Sequence, residues 1–382
     1  MKKWPSVRLA TFVFALLALG APPFAFGQTP GASRLLNEDP NNWPMYHRSY
    51  DAFRFSPLGQ INKDNVKNLS VAWVHQPGAI VQGLEATPLV VDGVMYYIAS
   101  YNRVFALDAD TGQLKWHFQE IPHDDWDYDS GLGESLVLDR DGKKLLVHQN
   151  KSGFVFVYDR TNGKLQNVWP MTHTYNFVKT IDPKTGELIG RKPPRLGKPE
   201  FICPWIAGGR SWNSGSYNPK TKLWYNTAME VCEEVTVEKQ TPQTEPAAGL
   251  FFGGDQVAKH PPGGEAYGHL DARDPVTGER KWSINFKYPP IGSVLSTGGG
   301  LVFHGDVEGV VHAYDADTGE QLWHFRTGSG HRGGPISYSV NGKQYIAIPS
   351  GLGSLVLGLY PALWPEVEDF PAGSAMFVFT LK

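Results

Sequence analysis

One short pattern recurs along this chain of 382 residues and confines it to a repeat architecture. An apolar residue, any residue, Asp, two variable residues and Thr-Gly are followed, four positions after the Gly, by Trp. The copies are Ala106-Leu107-Asp108-Ala109-Asp110-Thr111-Gly112 with Trp116, Ala272-Arg273-Asp274-Pro275-Val276-Thr277-Gly278 with Trp282, and Ala313-Tyr314-Asp315-Ala316-Asp317-Thr318-Gly319 with Trp323. Weaker copies are Val157-Tyr158-Asp159-Arg160-Thr161-Asn162-Gly163 and Ile181-Asp182-Pro183-Lys184-Thr185-Gly186. Asp opens a tight turn by accepting backbone N–H bonds, and Gly supplies the positive φ that ends it. Alternating residues before the turn, such as Val311-His312-Ala313-Tyr314, read as a strand, and the Trp after it can pack on a neighbouring sheet. A hairpin with one apolar face does not stand alone. The step of about 41 residues from Asp274 to Asp315 fits four-stranded propeller blades better than a flat array or a β-sandwich.

Other segments agree. Leu89–Tyr97 reads as strand, Asp-Gly turn, strand, and Lys144–Val147 with Phe154–Val157 flank Ser152-Gly153. Leu301–Phe303 and Tyr345–Ile348 are further apolar runs, and no helical stretch of note follows residue 27. High Gly and Pro counts (42 and 29) and 13% aromatics suit many short strands joined by turns.

Met1-Lys2-Lys3, Arg8 and the apolar run Leu9–Ala21 predict a signal peptide over residues 1–27, the run being too short for a bilayer span. Its removal takes Lys2, Lys3 and Arg8 and no acid, moving net charge from −3 to about −6 over roughly 355 remaining residues. Such a charge is no footprint for nucleic acid or for a polybasic membrane patch. The mature chain is expected without a membrane span, in the periplasm. Two cysteines, Cys203 and Cys232, favour a disulfide in an oxidising compartment over two buried thiols, and no Cys-x-x-Cys-His motif for haem attachment occurs.

Asn42-Trp43-Pro44, Arg54-Phe55-Ser56-Pro57-Leu58, Ile61–Val66 with Ala72-Trp73, and the Trp-ending repeats together resemble the quinoprotein (PQQ-dependent) alcohol and methanol dehydrogenases over residues 40–382. The resemblance implies an all-β, tryptophan-docking β-propeller over residues 28–382, with PQQ and a calcium or lanthanide ion as cofactors. It implies a small alcohol as substrate and a soluble electron acceptor, such as a cytochrome c or a quinone-pool protein. Within Pro122-His123-Asp124-Asp125-Trp126-Asp127-Tyr128-Asp129, similarity makes Asp127 the catalytic base, taking the alcohol proton while hydride passes to the quinone C5. Asp127 and Asp129 would ligate the metal, Asp129 leaning toward a lanthanide. Glu85, Lys151, Trp212 and Asn213 match cofactor-binding positions, Lys151 balancing charge on the reduced quinone. Cys203 and Cys232 match a family disulfide.

The match breaks near residues 116–123. The repeat ending at Trp116 and Phe118 looks like a first blade, yet it runs directly into Asp124–Asp129, which in the eight-bladed family belongs several blades later. About three blades are missing by this reading, with the vicinal Cys-Cys, a Trp, a Glu and an Asn of the cofactor site, leaving five or six blades. Two other functions compete with PQQ-dependent oxidation of a primary alcohol. One is a non-catalytic periplasmic propeller that binds a partner. The other is a sugar-cleaving propeller using paired carboxylates.

Overall fold

A computed structural model describes residues 39–45, 55–78, 87–99, 103–131, 133–239 and 253–381. The expected signal peptide and Glu85 lie outside these residues. The described chain is almost wholly antiparallel β, arranged as five successive meanders. The first sheet comprises Leu89–Val91, Val94–Ala99, Arg103–Asp108 and Leu114–Gln119. The second comprises Glu134–Arg140, Lys143–Gln149, Phe154–Asp159 and Leu165–Pro170. The third comprises Ser216–Asn218, Leu223–Glu230, Tyr267–Arg273 and Arg280–Phe286, and the fourth Val294–Ser296, Leu301–Gly305, Val310–Asp315 and Gln321–Arg326. The fifth has three strands, Ile336–Val340, Lys343–Ser350 and Ala375–Thr380.

The recurring pattern builds the turn between third and fourth strands of the first four sheets. In the fourth, Asp315 Oδ1 accepts from the N–H groups of Asp317 (2.9 Å) and Thr318 (2.8 Å), and Gly319 N–H closes back on the Asp315 carbonyl at 2.9 Å. Each turn receives a Trp from the sheet before it. Trp116 of the first sheet covers Gly163 of the second, where an added Cβ would sit 2.5 Å from the indole. Trp169 covers Gly278 in the same way, and Trp282 covers Gly319. Every one of these indoles also donates its N–H to a turn carbonyl: Trp116 to Arg160, Trp169 to Pro275 and Trp282 to Ala316, at 3.0–3.2 Å. The glycine is thus required twice, for its positive φ (72° at Gly163) and for the flat face it offers the ring. Trp73, ahead of the first sheet, covers Gly112. Expected docking between blades is therefore the observed packing rule.

Apolar cores lie between consecutive sheets. One joins Val104, Ala106 and Trp116 to Phe154, Phe156 and Tyr158; a second joins Leu145, Val147 and Trp169 to Trp224 and Ala228; a third joins Tyr225, Leu270 and Trp282 to Val302 and Tyr314. None of the buried clusters among the described residues joins the first sheet to the fifth. Across residues 116–123, where a break in the family likeness was expected, the first and second sheets dock by the same Trp–Gly contact as the others.

The copy at Ile181–Gly186 departs from expectation. It closes a two-stranded ribbon, Thr180–Ile181 with Leu188–Ile189, inside the connection between second and third sheets, and its Gly186 faces Phe118 instead of a Trp. It adds no blade. The third sheet carries an insertion, Cys232–Val237 paired with Gly254–Lys259, which Pro199–Ile202 joins to form a separate three-stranded sheet. A Cys203–Cys232 disulfide ties that insertion to the incoming connection, as expected. Two 3-10 segments, Leu357–Ala362 and Pro365–Asp369, pack Tyr360, Trp364 and Val367 against Trp205, Val231 and Ile291.

Candidate functional site

In a four-stranded meander, the turn between second and third strands shares one edge with the connection entering from the preceding sheet. The candidate residues occupy that edge. Asp127 and Asp129 sit on the connection from first to second sheet, Lys151 on the second sheet's inner turn, and Trp212 and Asn213 on the connection into the third sheet.

The acidic loop is built by its own carboxylates. Asp124 accepts the N–H groups of Trp126 (2.9 Å) and Tyr128 (2.6 Å), while Trp126 Nε1 donates to the Lys192 carbonyl at 3.1 Å and Tyr128 Oη to the Pro204 carbonyl at 2.6 Å. Arg191 pairs with Asp125. These anchors turn Asp127 outward with φ of 62°, a left-handed conformation that Asp tolerates better than most residues. Two of the four aspartates in this run, Asp124 and Asp125, are therefore structural.

Lys151 joins the other two. Its Nζ lies 2.6 Å from Asp127 Oδ2 and 3.2 Å from Asp129 Oδ2, and its backbone N–H donates to the Asp129 carbonyl at 3.3 Å. The lysine side chain is 7% exposed, whereas both carboxylates are half-exposed, so the cation lies beneath and the anions face the opening. Gly208 and Gly209 wrap it: Gly209 N–H donates to the Lys151 carbonyl (2.9 Å), and a Cβ at Gly208 would collide with its stem. Burial pushes the Asp127 carboxyl up; the Lys151 charge opposes that and the Asp129 charge adds to it.

Trp212 and Asn213 follow on the same segment, with different roles. Asn213 is buried, donating to Thr227 Oγ1 (2.6 Å) and the Gly292 carbonyl (3.3 Å), while its own carbonyl accepts from Arg210. Arg210 also pairs with Glu134 at 2.8 Å. Asn213 thereby fixes the connection and offers no free amide to the opening. Trp212 is 40% exposed, with the Arg332 guanidinium 4.8 Å from its ring centroid. Arg332 lies between the fourth and fifth sheets, so this contact joins that connection to the one entering the third sheet.

Glu233 and Glu120 escaped the sequence reading, and Asp124 entered it only as part of the acidic run. Glu233, buried beside Cys232, has its carboxyl pushed up to about 7 by burial; the Ile206 N–H and Lys151 oppose the rise and Asp127 adds to it. Asp124 is pushed to about 6, again by burial first. Glu120 lies wholly buried under the loop, bound by His148 Nδ1 (2.7 Å), Tyr158 Oη (2.8 Å), Ser130 Oγ (2.6 Å) and Asn150 Nδ2 (3.1 Å). Ser130 follows Asp129 and Asn150 precedes Lys151, so Glu120 holds the two arms of the site together. Only the position of Glu233 next to a disulfide cysteine could have marked it; Glu120 carried no signal.

A family model described as the β-propeller domain of glucose/ethanol/alcohol dehydrogenase, PQQ, matches residues 43–116, 106–176 and 264–346, more than half the chain. The quinoprotein ethanol dehydrogenase of Pseudomonas putida is 37% identical over 265 residues, 65% of this chain and 42% of that protein. Methanol dehydrogenase [cytochrome c] subunit 1 of Methylobacterium organophilum is 35% identical over 282 residues, 69% of this chain and 42% of its own length. The chain thus spans less than half the length of these curated relatives. Among solved structures, the quinohemoprotein alcohol dehydrogenase ADHIIG of Pseudomonas putida superposes with a TM-score of 0.67 at 29% identity, over 76% of this chain and 47% of that one. A europium-containing methanol dehydrogenase shares the fold, with a TM-score of 0.64 at 20% identity over 91% of this chain and 100% of that one. Matching blades, docking tryptophans and relatives agree: the chain belongs to the PQQ-dependent alcohol dehydrogenase β-propeller family.

Proposed function

We propose that this chain oxidises a primary alcohol to an aldehyde in the periplasm with PQQ as oxidant and Asp127 as base. The observation that carries the reading is the buried Lys151 ammonium drawn to Asp127 and Asp129 at the mouth of the propeller. A quinone oxygen seated there would meet a cation shielded from water, where its charge acts more strongly than in bulk solvent. Trp212 under Arg332 offers a flat cationic face on the same rim. Lys151, Trp212 and Arg332 suit a planar anionic quinone, whereas the half-exposed Asp127 and Asp129 carboxylates call for a cation between them and it. The donor chemistry of Asp127 and Asp129 suits calcium or a lanthanide, but two carboxylates fall short of the six to eight oxygens calcium takes, and no further carboxylate or His among the described residues closes a cluster with them. No step is therefore assigned to a metal.

When bound, PQQ supplies a two-electron acceptor for the hydride leaving the alcohol carbon. The chain's own part is proton handling and charge. Half-exposed Asp127 is open to a substrate hydroxyl and takes its proton, leaving the aldehyde carbonyl as the C–H bond breaks. Lys151 opposes the upward push that burial gives the Asp127 carboxyl and orients it. Glu120 and Asp124 hold the loop through bonds that do not change during turnover. A cytochrome c serves as electron acceptor in this reading, by analogy with the cytochrome c-linked methanol dehydrogenases.

The test is reconstitution of the purified chain with PQQ and calcium or lanthanum, followed by dye reduction with ethanol. Bound quinone absorbance with turnover is expected. Asp127→Asn should retain the quinone and lose activity by roughly 10²–10⁴-fold. A chain that takes up no quinone and reduces no dye overturns the reading in favour of a partner-binding propeller.

A further inference from the structure

A second polar cluster lies away from the quinone mouth, where the connection leaving the second sheet meets the third. Glu230 ends the third sheet's second strand, His269 lies on the neighbouring strand, and His173 follows the second sheet's last strand by three residues. One ligand atom from each falls within 4.8 Å of the others. Glu230 Oε1 is 3.1 Å from His269 Nε2 and 3.6 Å from His173 Nδ1. Tetrahedral zinc with bonds near 2.0–2.1 Å sets its ligand atoms about 3.3 Å apart, between those two values.

The surroundings point the same way. On its far side His269 faces Asp271, with Nδ1 3.0 Å from Oδ1, and Asp271 is in turn held by Arg273 at 2.7 Å. A carboxylate behind a ligating imidazole fixes its tautomer and ring orientation, as in carboxylate–histidine–zinc triads. His269, Asp271 and Glu230 are all fully buried, so this frame is rigid. His269 also stands between two carboxylates, each able only to accept, so its Nε2 must meet a proton or a cation on the Glu230 side. The Glu230 carboxylate is itself oriented by the N–H groups of His173 (2.7 Å) and Thr174 (3.0 Å). His173 stacks on His269 at 4.8 Å and lines an open cleft of about 460 Å3 with Arg273, Arg280 and Tyr175. Two buried ligands and one at a solvent cleft leave a fourth position for water.

We propose that Glu230, His269 Nε2 and His173 Nδ1 bind one zinc-class divalent ion, clipping the connection after the second sheet onto the third. Arg280 contacts His173 Nε2 and is exposed, while His173 Nδ1 lies 3.0 Å from Tyr267 Oη and exchanges that partner for the metal. The clip is independent of the redox reading, and its assay contains neither quinone nor alcohol.

The test uses the full chain, free of any affinity tag and stripped with a chelating resin. Titration with Co2+ and then Zn2+ should give one equivalent of a visible cobalt spectrum for nitrogen and oxygen ligands, displaced by Zn2+, and a rise in Tm with Zn2+. His173→Ala, at the surface, should fold normally and lose at least about 100-fold in affinity, while Asp271→Asn loses roughly 10–100-fold. Glu230→Gln keeps the hydrogen-bonding shape and should abolish the cobalt spectrum. Absence of a cobalt spectrum in the parent chain, or equal binding by parent and His173→Ala, overturns the proposal.

Discussion

Trp169 and Trp323 each lie on the last strand of a four-stranded sheet, six and four residues after the turn glycine, and meet opposite fates. Trp169 is 5% exposed, flat on Gly278, with its indole N–H on the Pro275 carbonyl. Trp323 ends the fourth sheet just as Trp169 ends the second, yet it is 38% exposed and meets Phe379 edge-on at 5.1 Å. The fifth sheet brings no Asp-x-x-Thr-Gly turn, so no glycine face or turn carbonyl among the described residues receives that indole. Its outer surface remains apolar, with Ile336, Val340, Met376 and Val378 exposed. The motif therefore stores half an interaction: each Trp is worth its burial only when the next sheet supplies the partner turn.

The largest test of this contrast is Trp169→Ala. It removes a buried ring and its hydrogen bond together and should cost about 3–5 kcal/mol in urea or thermal unfolding. Next comes charge in the docked region. The Glu233 carboxyl is pushed up to about 7, so the folded state binds more protons than the unfolded chain between pH 4.5 and 7. Stability should fall as pH rises through that window, by roughly 3 kcal/mol, and Glu233→Gln should flatten the slope. A pH-independent wild type would show that water reaches Glu233. Third, Gly163→Ala forces both a positive φ and a collision with Trp116, whereas Gly300→Ala meets only the φ penalty in open space. About 3 kcal/mol is expected for the first and about 1 kcal/mol for the second, by denaturant midpoints. The smallest effect belongs to Trp323→Ala, below about 1 kcal/mol. A loss matching that of Trp169→Ala would erase the distinction between docked and terminal sheets.

What could be read in advance was whatever a short window encodes. The Asp, Thr and Gly of each turn act within five residues, so turns, strands and the docking of Trp116 and Trp282 were legible, as was the Cys203–Cys232 pair, whereas Trp169, six residues after its turn glycine, was not. Asp127, Asp129 and Lys151 were named, and they do meet. The same local logic misjudged Ile181–Gly186, because a turn signature does not say whether its strands continue into a blade. Asn213, expected at a cofactor contact, donates its amide to Thr227 and Gly292, partners that lie 14 and 79 positions on. Glu120, Glu233 and the His173–Glu230–His269 cluster were invisible because their partners lie on different sheets or strands, and only the stacking of sheets brings them together. Nothing in the neighbourhood of His173 hints at a residue 96 positions on.

The disulfide stands unusually near the chemistry. Cys203 precedes Pro204, whose carbonyl anchors the acidic loop through Tyr128, and Cys232 precedes Glu233. Until those two sulfurs join, neither the depth of the Asp127 loop nor the placement of Glu233 has a covalent reference. The bridge thus ties the strand that carries Glu233 to the segment that anchors the acidic loop, and its reduction should loosen both.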